Sequence, residues 1–234
     1  MSRTRPTRLV QRWLRSLIGR DVFQLPQCSV PGEVMGNRHA SWFVATDRLG
    51  AAPVVYSFGV GRDVSFELAL IERFDATVHA FDPTPLALAW ARTQRLPERL
   101  ILREFGVAGY DGLASFLPSR RVGGENFSMV RESGIGEAIE APVRRFATLA
   151  AMVMRPPDLV KLDIEGAEYD VLPDMLGSGF RPRQIWIEFH HWWREIHPRR
   201  TRDAIRLLNR HGYLIADVSA KGKEYTFVLP SPTP

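Results

Sequence analysis

Three stretches of the sequence place residues capable of chemistry at the ends of apolar runs. Gly59-Val60-Gly61 follows Val54-Val55-Tyr56-Ser57-Phe58, and Asp82 follows Thr77-Val78-His79-Ala80-Phe81. Asp163 opens the acidic run Asp163-Ile164-Glu165-Gly166-Ala167-Glu168 behind Leu159-Val160-Lys161-Leu162. Glycines let backbone approach a ligand without a Cβ and accept positive φ. Asp82 stands 21 residues beyond Gly61, a spacing that suits a carboxylate accepting hydrogen bonds from a ribose diol. The plainer role for Asp82 is a turn aspartate before Pro83.

A dinucleotide fingerprint needs a third glycine three residues after the second, and that position is Val64. A nucleoside site without a pyrophosphate cradle points to S-adenosylmethionine rather than NAD. Asp163, at a strand tip, is placed to hold the methionine ammonium or to orient an acceptor. Part of the acidity around it suits a helix start, where the dipole favours carboxylates.

His190 and His191 directly follow the apolar run Gln184–Phe189. Alternation sends them to opposite faces, so at most one reaches the site. His190 shares the face of Trp186 and Glu188, and its titration near neutrality suits a general base. A structural or positioning histidine is the competing role. Asp163, Glu165, Glu188 and His190 also make an oxygen-rich set for a divalent cation. Ordinary salt-bridged acids account for them equally well, and no metal is expected.

The elements that must position these residues alternate along the chain. Strands are expected at 53–58, 77–81, 99–102, 159–163 and 184–189, each an apolar run short enough for a buried strand. Helices are expected at 64–74, from Thr84 with Pro85 in the first position, at 167–176, and at 201–209 ahead of Gly212. Residues 213–216 and 225–229 lie too close together for a crossover helix and should pair antiparallel. Such alternation implies a mostly parallel sheet with right-handed crossovers. An added strand is expected at 139–146. Residues 106–137 hold seven glycines without a helical period; with Asn126, Phe127 and Met129 they form either a cover over the acceptor or a plain surface connection.

Charge is unevenly distributed. The 234 residues carry +5 at neutral pH, yet residues 1–20 hold six arginines and no acid, leaving the rest at −1. A duplex-binding protein more often spreads its basic residues over the folded surface, so nucleic acid is not an expected partner. Leu9, Val10, Trp13, Leu14, Leu17 and Ile18 recur at helical spacing. This basic amphipathic helix either packs on the domain with its arginines in solvent, or uses residues 8–18 against an anionic membrane surface or a partner. Cys28 is the sole cysteine, which excludes an internal disulfide and a cysteine-based zinc site. No apolar run reaches membrane-spanning length, and the basic N-terminus lacks a secretory apolar region, so a cytosolic protein is expected.

The motif Asp163-Ile164-Glu165-Gly166-Ala167-Glu168, with Lys161 before it and Val171-Leu172 after it, resembles the signature of the FkbM family of methyltransferases. Residues 56–67, His79-Ala80-Phe81-Asp82-Pro83 and Glu188-Phe189-His190 are similar to that family too. The resemblance covers roughly residues 50–229. It implies an α/β, Rossmann-like class I methyltransferase domain with S-adenosylmethionine as donor. It also implies a hydroxyl acceptor on a sugar, glycan or natural product. Many class I enzymes carry an acid two residues before the first glycine, where this chain has Ser57. The expected donor-binding set is therefore Ser57, Gly59, Gly61, Asp63, Asp82 and Asp163, with Asp63 or Asp163 supplying the missing charge; His190 and Asp163 are the catalytic candidates. Residues 1–40 form the basic helix and connecting arm, 41–230 the methyltransferase domain and 231–234 a tail. Two other functions compete: a non-catalytic nucleotide-binding or assembly protein acting through the basic arm, and an NAD-dependent oxidoreductase.

Overall fold

In the computed structural model, residues 6–118, 127–129 and 137–230 are described. Asn126, the glycine pairs at 123–124 and 134/136, and the expected tail at 231–234 lie outside them.

The apolar runs read from the sequence are the central strands. β3 (Val54–Phe58), β4 (Thr77–Phe81), β5 (Leu100–Arg103), β10 (Leu159–Leu162) and β11 (Gln184–Glu188) run parallel. The sheet also holds β12 (Leu214–Val218) and β13 (Glu224–Val228), which pair antiparallel to each other. β13 slots between β12 and β11, giving the order β12-β13-β11-β10-β3-β4-β5. From β3 the chain proceeds outward to β4 and β5, then returns to the other side of β3 as β10 and β11. The carboxyl ends of β3 and β10 therefore flank the point where strand order reverses, the general place for a ligand in such sheets.

Alternation along β3 sorts side chains between two cores. Val54, Tyr56 and Phe58 join the larger core, beneath α4 (Phe146–Val153), α5 (Glu168–Gly177) and α6 (Pro198–Arg210). Val55 joins the second core with Phe66 and Leu70 of α2 (Ser65–Phe74). α3 (Pro85–Thr93) begins as expected, with Thr84 in extended conformation at its cap and Pro85 as its first residue. α6 begins earlier than expected, on Pro198, where the His197 side chain accepts a hydrogen bond from Arg199 N.

Several elements were not legible in advance. A hairpin of β1 (Gly32–Gly36) and β2 (Ser41–Ala45) spans the expected boundary at 40/41 and packs Met35, Trp42 and Val44 against α2. The strand expected at 139–146 is β9 (Ile139–Arg144), but it belongs to a small separate sheet in which β6 (Gly106–Val107), β9, β7 (Gly112–Pro118) and β8 (Phe127–Ser128) lie in that order. α1 (Pro6–Leu17) is helical as expected, but it is turned over. Arg12 is buried, whereas Val10, Trp13, Leu14 and Leu17 are exposed. Arg15 faces solvent as expected, but Arg12 does not: its guanidinium finds a carbonyl to pair with, the oxygen of Val22 at 3.0 Å.

Candidate functional site

The turn after β3 is fixed by contact with the turn after β10. Gly59 has φ +76°, and a Cβ there would overlap the carbonyl oxygen of Asp163, so only glycine lets the two strand ends close up. Gly61 also has positive φ, at +54°, but its missing Cβ faces open space. Its N–H donates to Asp82 Oδ2 at 3.0 Å. Asp82 Oδ1 accepts from Thr84 N at 2.9 Å and from Thr84 Oγ1 at 2.6 Å. A carboxylate has about four lone-pair positions, so Asp82 ties the glycine turn to the start of α3 and keeps one position of Oδ2 in reserve.

These groups line a cavity of about 530 Å³ over the carboxyl ends of β3, β4 and β10, within the size range of small-molecule sites. Gly59, Gly61 and Asp82 form part of its wall, and Asp163 and Glu165 another part. Phe116 of β7, Met129 and the Gly106-Val107 strand β6 also line it. Part of the glycine-rich stretch thus contributes wall as well as connection. Asp63 lies on the wall too, with both oxygens engaged: Oδ1 accepts from Ser65 N at 3.0 Å and Oδ2 from Asn37 Nδ2 at 2.6 Å. Burial pushes its carboxyl up, but these bonds prevail and hold it below the usual value.

Ser57 takes another position. Its side chain points to the α2 side of the sheet, fully buried, and its Oγ donates to Glu67 Oε1 at 2.5 Å. It is not among the cavity's lining residues. The same face of the neighbouring strand presents Lys161, in register with Ser57. Lys161 Nζ donates to Gly59 O at 3.1 Å and lies 3.9 Å from Glu67 and 4.0 Å from Asp163. A buried ammonium thus holds the glycine turn and sits between two carboxylates. Neither Lys161 nor Glu67 was singled out from the sequence as a site residue. The signal was a charged residue within an apolar strand, which stays buried only when paired.

Asp163 has its carboxyl pushed up to about 6, first by burial and then by Glu165 and Glu168, with Lys161 pulling the other way. Glu188 is pushed further, to about 8, by burial and by Asp163.

His190 stands apart from the cavity. The expected general base is buried, and each ring nitrogen faces a carboxylate: Nδ1 lies 2.9 Å from Glu168 Oε1 and Nε2 3.2 Å from Glu165 Oε2. Burial alone would lower its pKa, but Glu168 and Glu165 outweigh it and hold it well above the ordinary value. An imidazolium donating from both nitrogens has no lone pair with which to take a proton, and His190 is not among the residues on the cavity wall. Glu168 is itself pinned, accepting from Ile164 N at 3.1 Å and Gly166 N at 3.2 Å. Ligating atoms of Asp163, Glu165 and His190 do lie within 4.8 Å of one another; in this arrangement His190 acts as the cation between the acids. His191 faces away, with Nε2 3.2 Å from Asp21 Oδ1.

The site thus brings together Gly59, Gly61, Asp63, Asp82 and Asp163, and leaves Ser57 and His190 behind its walls. The sequence from residue 54 to 215 matches the family described as methyltransferase FkbM domain. Among solved structures, the chain is similar to the FkbM methyltransferase from Methylobacillus flagellatus, with a TM-score of 0.51 and 14% identity. That likeness covers 79% of this chain but 46% of the other, so this chain spans less than half of that protein's length. A weaker likeness, TM-score 0.43 and 8% identity over 86% of this chain and 83% of the other, links it to Aeropyrum pernix fibrillarin, crystallised with S-adenosylmethionine. No protein of curated function matches.

Proposed function

The chain belongs to the FkbM methyltransferase family, and from that premise we propose that it transfers the methyl group of S-adenosylmethionine to a hydroxyl of a small acceptor such as a sugar, glycan or natural product. The observation that carries this reading is the cavity itself, whose wall joins the glycine turn and Asp82 to Asp163 and Glu165. Gly61, whose missing Cβ faces open space, offers on the cavity wall the close approach that an adenosine needs. Asp82 has one lone pair of Oδ2 available to a ribose hydroxyl, while its other bonds hold the turn in shape. A dehydrogenase is disfavoured because the third glycine position, Val64, is buried against Ala80 and Leu100, in a packed core.

The donor supplies an electrophilic methyl on a sulfonium. The protein contributes alignment, water exclusion and a place for the acceptor's proton. Asp163 suits the last of these roles, because it lines the cavity and its carboxyl, raised to about 6, is ionised near neutrality yet more basic than an ordinary aspartate. With the donor bound, Asp163 would take the proton that the acceptor hydroxyl gives up as it receives the methyl group. Lys161, beside it on the cavity wall, pulls its pKa down and so favours the carboxylate. His190, with its two acids, holds the loop from which Asp163 and Glu165 project and acts as a positioning residue.

Calorimetric titration of the whole chain with S-adenosylmethionine, S-adenosylhomocysteine and NAD tests the donor. Labelled donor offered with panels of alcohols and of amines tests the acceptor. Binding of NAD without the sulfonium compound would reject the methyltransferase reading, and label in amines alone would reject the hydroxyl.

A further inference from the structure

Among the described residues, none covers the outer face of α1. Val10, Trp13, Leu14 and Leu17 fall within one arc of about 100° on a helix of 3.6 residues per turn, and Arg12 lies on the far side. Val10 is 55% exposed, Leu17 64% and the following Ile18 65%, against 8% for Arg12. A run of this kind on a charged helix is not ordinary surface, because stray apolar residues are usually scattered singly.

The helix cannot easily turn over, because its polar side is fastened. Arg12 donates to Val22 O at 3.0 Å, lies 5.8 Å over the Phe23 ring, and packs against Gly222, where a Cβ would overlap the guanidinium. Just beyond, Asp21 pairs with His191 at 3.2 Å and its carbonyl accepts from Arg202 at 3.4 Å. Burial raises the Asp21 carboxyl, but the His191 bond and the neighbouring charges prevail and keep it low. These bonds join the N-terminal segment to the loop after β11 and to α6, and leave the Trp and Leu side chains outward.

We infer that α1 docks this protein in the plane of an anionic lipid surface, with Val10, Trp13, Leu14 and Leu17 set among the acyl chains. The charge pattern selects this occupant. Residues 1–20 carry six arginines and no acid, and Arg15 and Arg20 are exposed. An apolar stripe with a tryptophan on it, carried by a segment rich in arginine, is the chemistry of an interfacial helix. A second copy would bring together two segments that each carry six arginines and no acid. A nucleic acid would satisfy the arginines but leave the leucines unexplained. No helix among the described residues is long and apolar enough to cross a membrane, so α1 lies on the surface rather than through it.

The test is flotation of the full chain with vesicles of phosphatidylcholine alone and of phosphatidylcholine with one-third phosphatidylglycerol. Binding to the anionic vesicles is expected, with at least about tenfold weaker association for the double variant Leu14→Gln/Leu17→Gln. Both side chains are about half exposed or more, so the variant should melt with the parent. A shift of Trp13 fluorescence to shorter wavelength, lost in Trp13→Phe, would support insertion. Absence of binding, equal binding of the double variant, or equal binding to neutral vesicles would overturn the proposal. So would a dimer in sedimentation that the same substitutions dissolve. These measurements are read without turnover, so they stand or fall apart from the catalytic reading.

Discussion

The backbone of Gly59 runs so close to the carbonyl of Asp163 that no side chain fits between them. The ends of β3 and β10 are thereby locked, and Lys161 reinforces the lock by donating to the Gly59 carbonyl. The glycine turn and the acidic motif, read separately from the sequence, are one structural unit.

Gly59→Ala is therefore expected to cost about 2–4 kcal/mol, combining left-handed strain with overpacking. Gly61→Ala should cost only about 1–2 kcal/mol, since its φ is also positive but its Cβ meets nothing. Chemical denaturation of both variants checks the difference. Equal losses would mean that the contact with Asp163 does not set the geometry.

Asp82→Ala removes the acceptor for Gly61 N and Thr84 together with the free lone pair facing the cavity. Hydrogen bonds to a carboxylate contribute about 1.5–3 kcal/mol, so donor affinity should fall by roughly ten- to a hundredfold. Calorimetry of the variant measures it. Unchanged affinity in a folded variant would take Asp82 out of the donor site.

The parallel core was legible because each strand is a short apolar run, and β3, β4 and β10 end at glycine or aspartate. The pairing of residues 214–218 with 224–228 was legible from their short separation; the insertion of β13 beside β11 was not. The hairpin at 32–45 escaped because in β1 only Met35 is buried, leaving too little alternation to see. β6 escaped because two residues, Gly106 and Val107, carry no period. α1 was recognised, but its orientation depends on whether Arg12 finds the Val22 carbonyl, a tertiary fact. In the site, Asp82 and Asp163 were visible as strand tips. The setting of Ser57 was not, since Glu67 and Lys161 reach it from α2 and from a strand about a hundred positions away. Nor was the state of His190, which depends on Glu165 and Glu168 converging on both of its nitrogens.

His190→Gln should strip the positive charge from between two acids and destabilise the fold by about 3–5 kcal/mol, the usual cost of breaking a buried pair. Its sign with pH follows from the raised pKa of the folded state. The imidazolium's contribution is full below about 6.5, the unfolded value, and declines as pH rises through the higher folded value. Wild-type stability should thus fall over that window, and the fall attributable to this group should vanish in the variant. Denaturant titrations from pH 5 to 9 report both, and a variant that retains the wild-type slope would show that His190 is not held protonated.

If His190 is the cation of this cluster, chelation should leave turnover unchanged. Dialysis of the active enzyme against EDTA, followed by assay with and without added magnesium or manganese, measures this. Loss of activity restored by the ion would instead assign Asp163, Glu165 and His190 to metal binding.

Asp163→Asn separates the chemical and structural roles of this carboxyl. In the folded protein its pKa is raised, from the ordinary 3.8 to about 6, so ionisation works against the fold. The stability tied to the neutral form is present below about 3.8 and lost as pH rises through about 6. At pH 8 the neutral amide should therefore stabilise the protein, by up to about 2–3 kcal/mol for a shift of this size. Turnover should move the other way, falling roughly 10²- to 10⁴-fold if Asp163 takes the acceptor's proton. The wild-type rate profile should rise through about pH 6, matching the carboxyl that ionises there, and the residual activity of the variant should lose that limb. A second substitution sharpens the test: Lys161→Met removes the charge that lowers the Asp163 pKa, so the limb should shift to higher pH. A variant that is both more stable and fully active would leave Asp163 as a carboxylate without a part in the reaction.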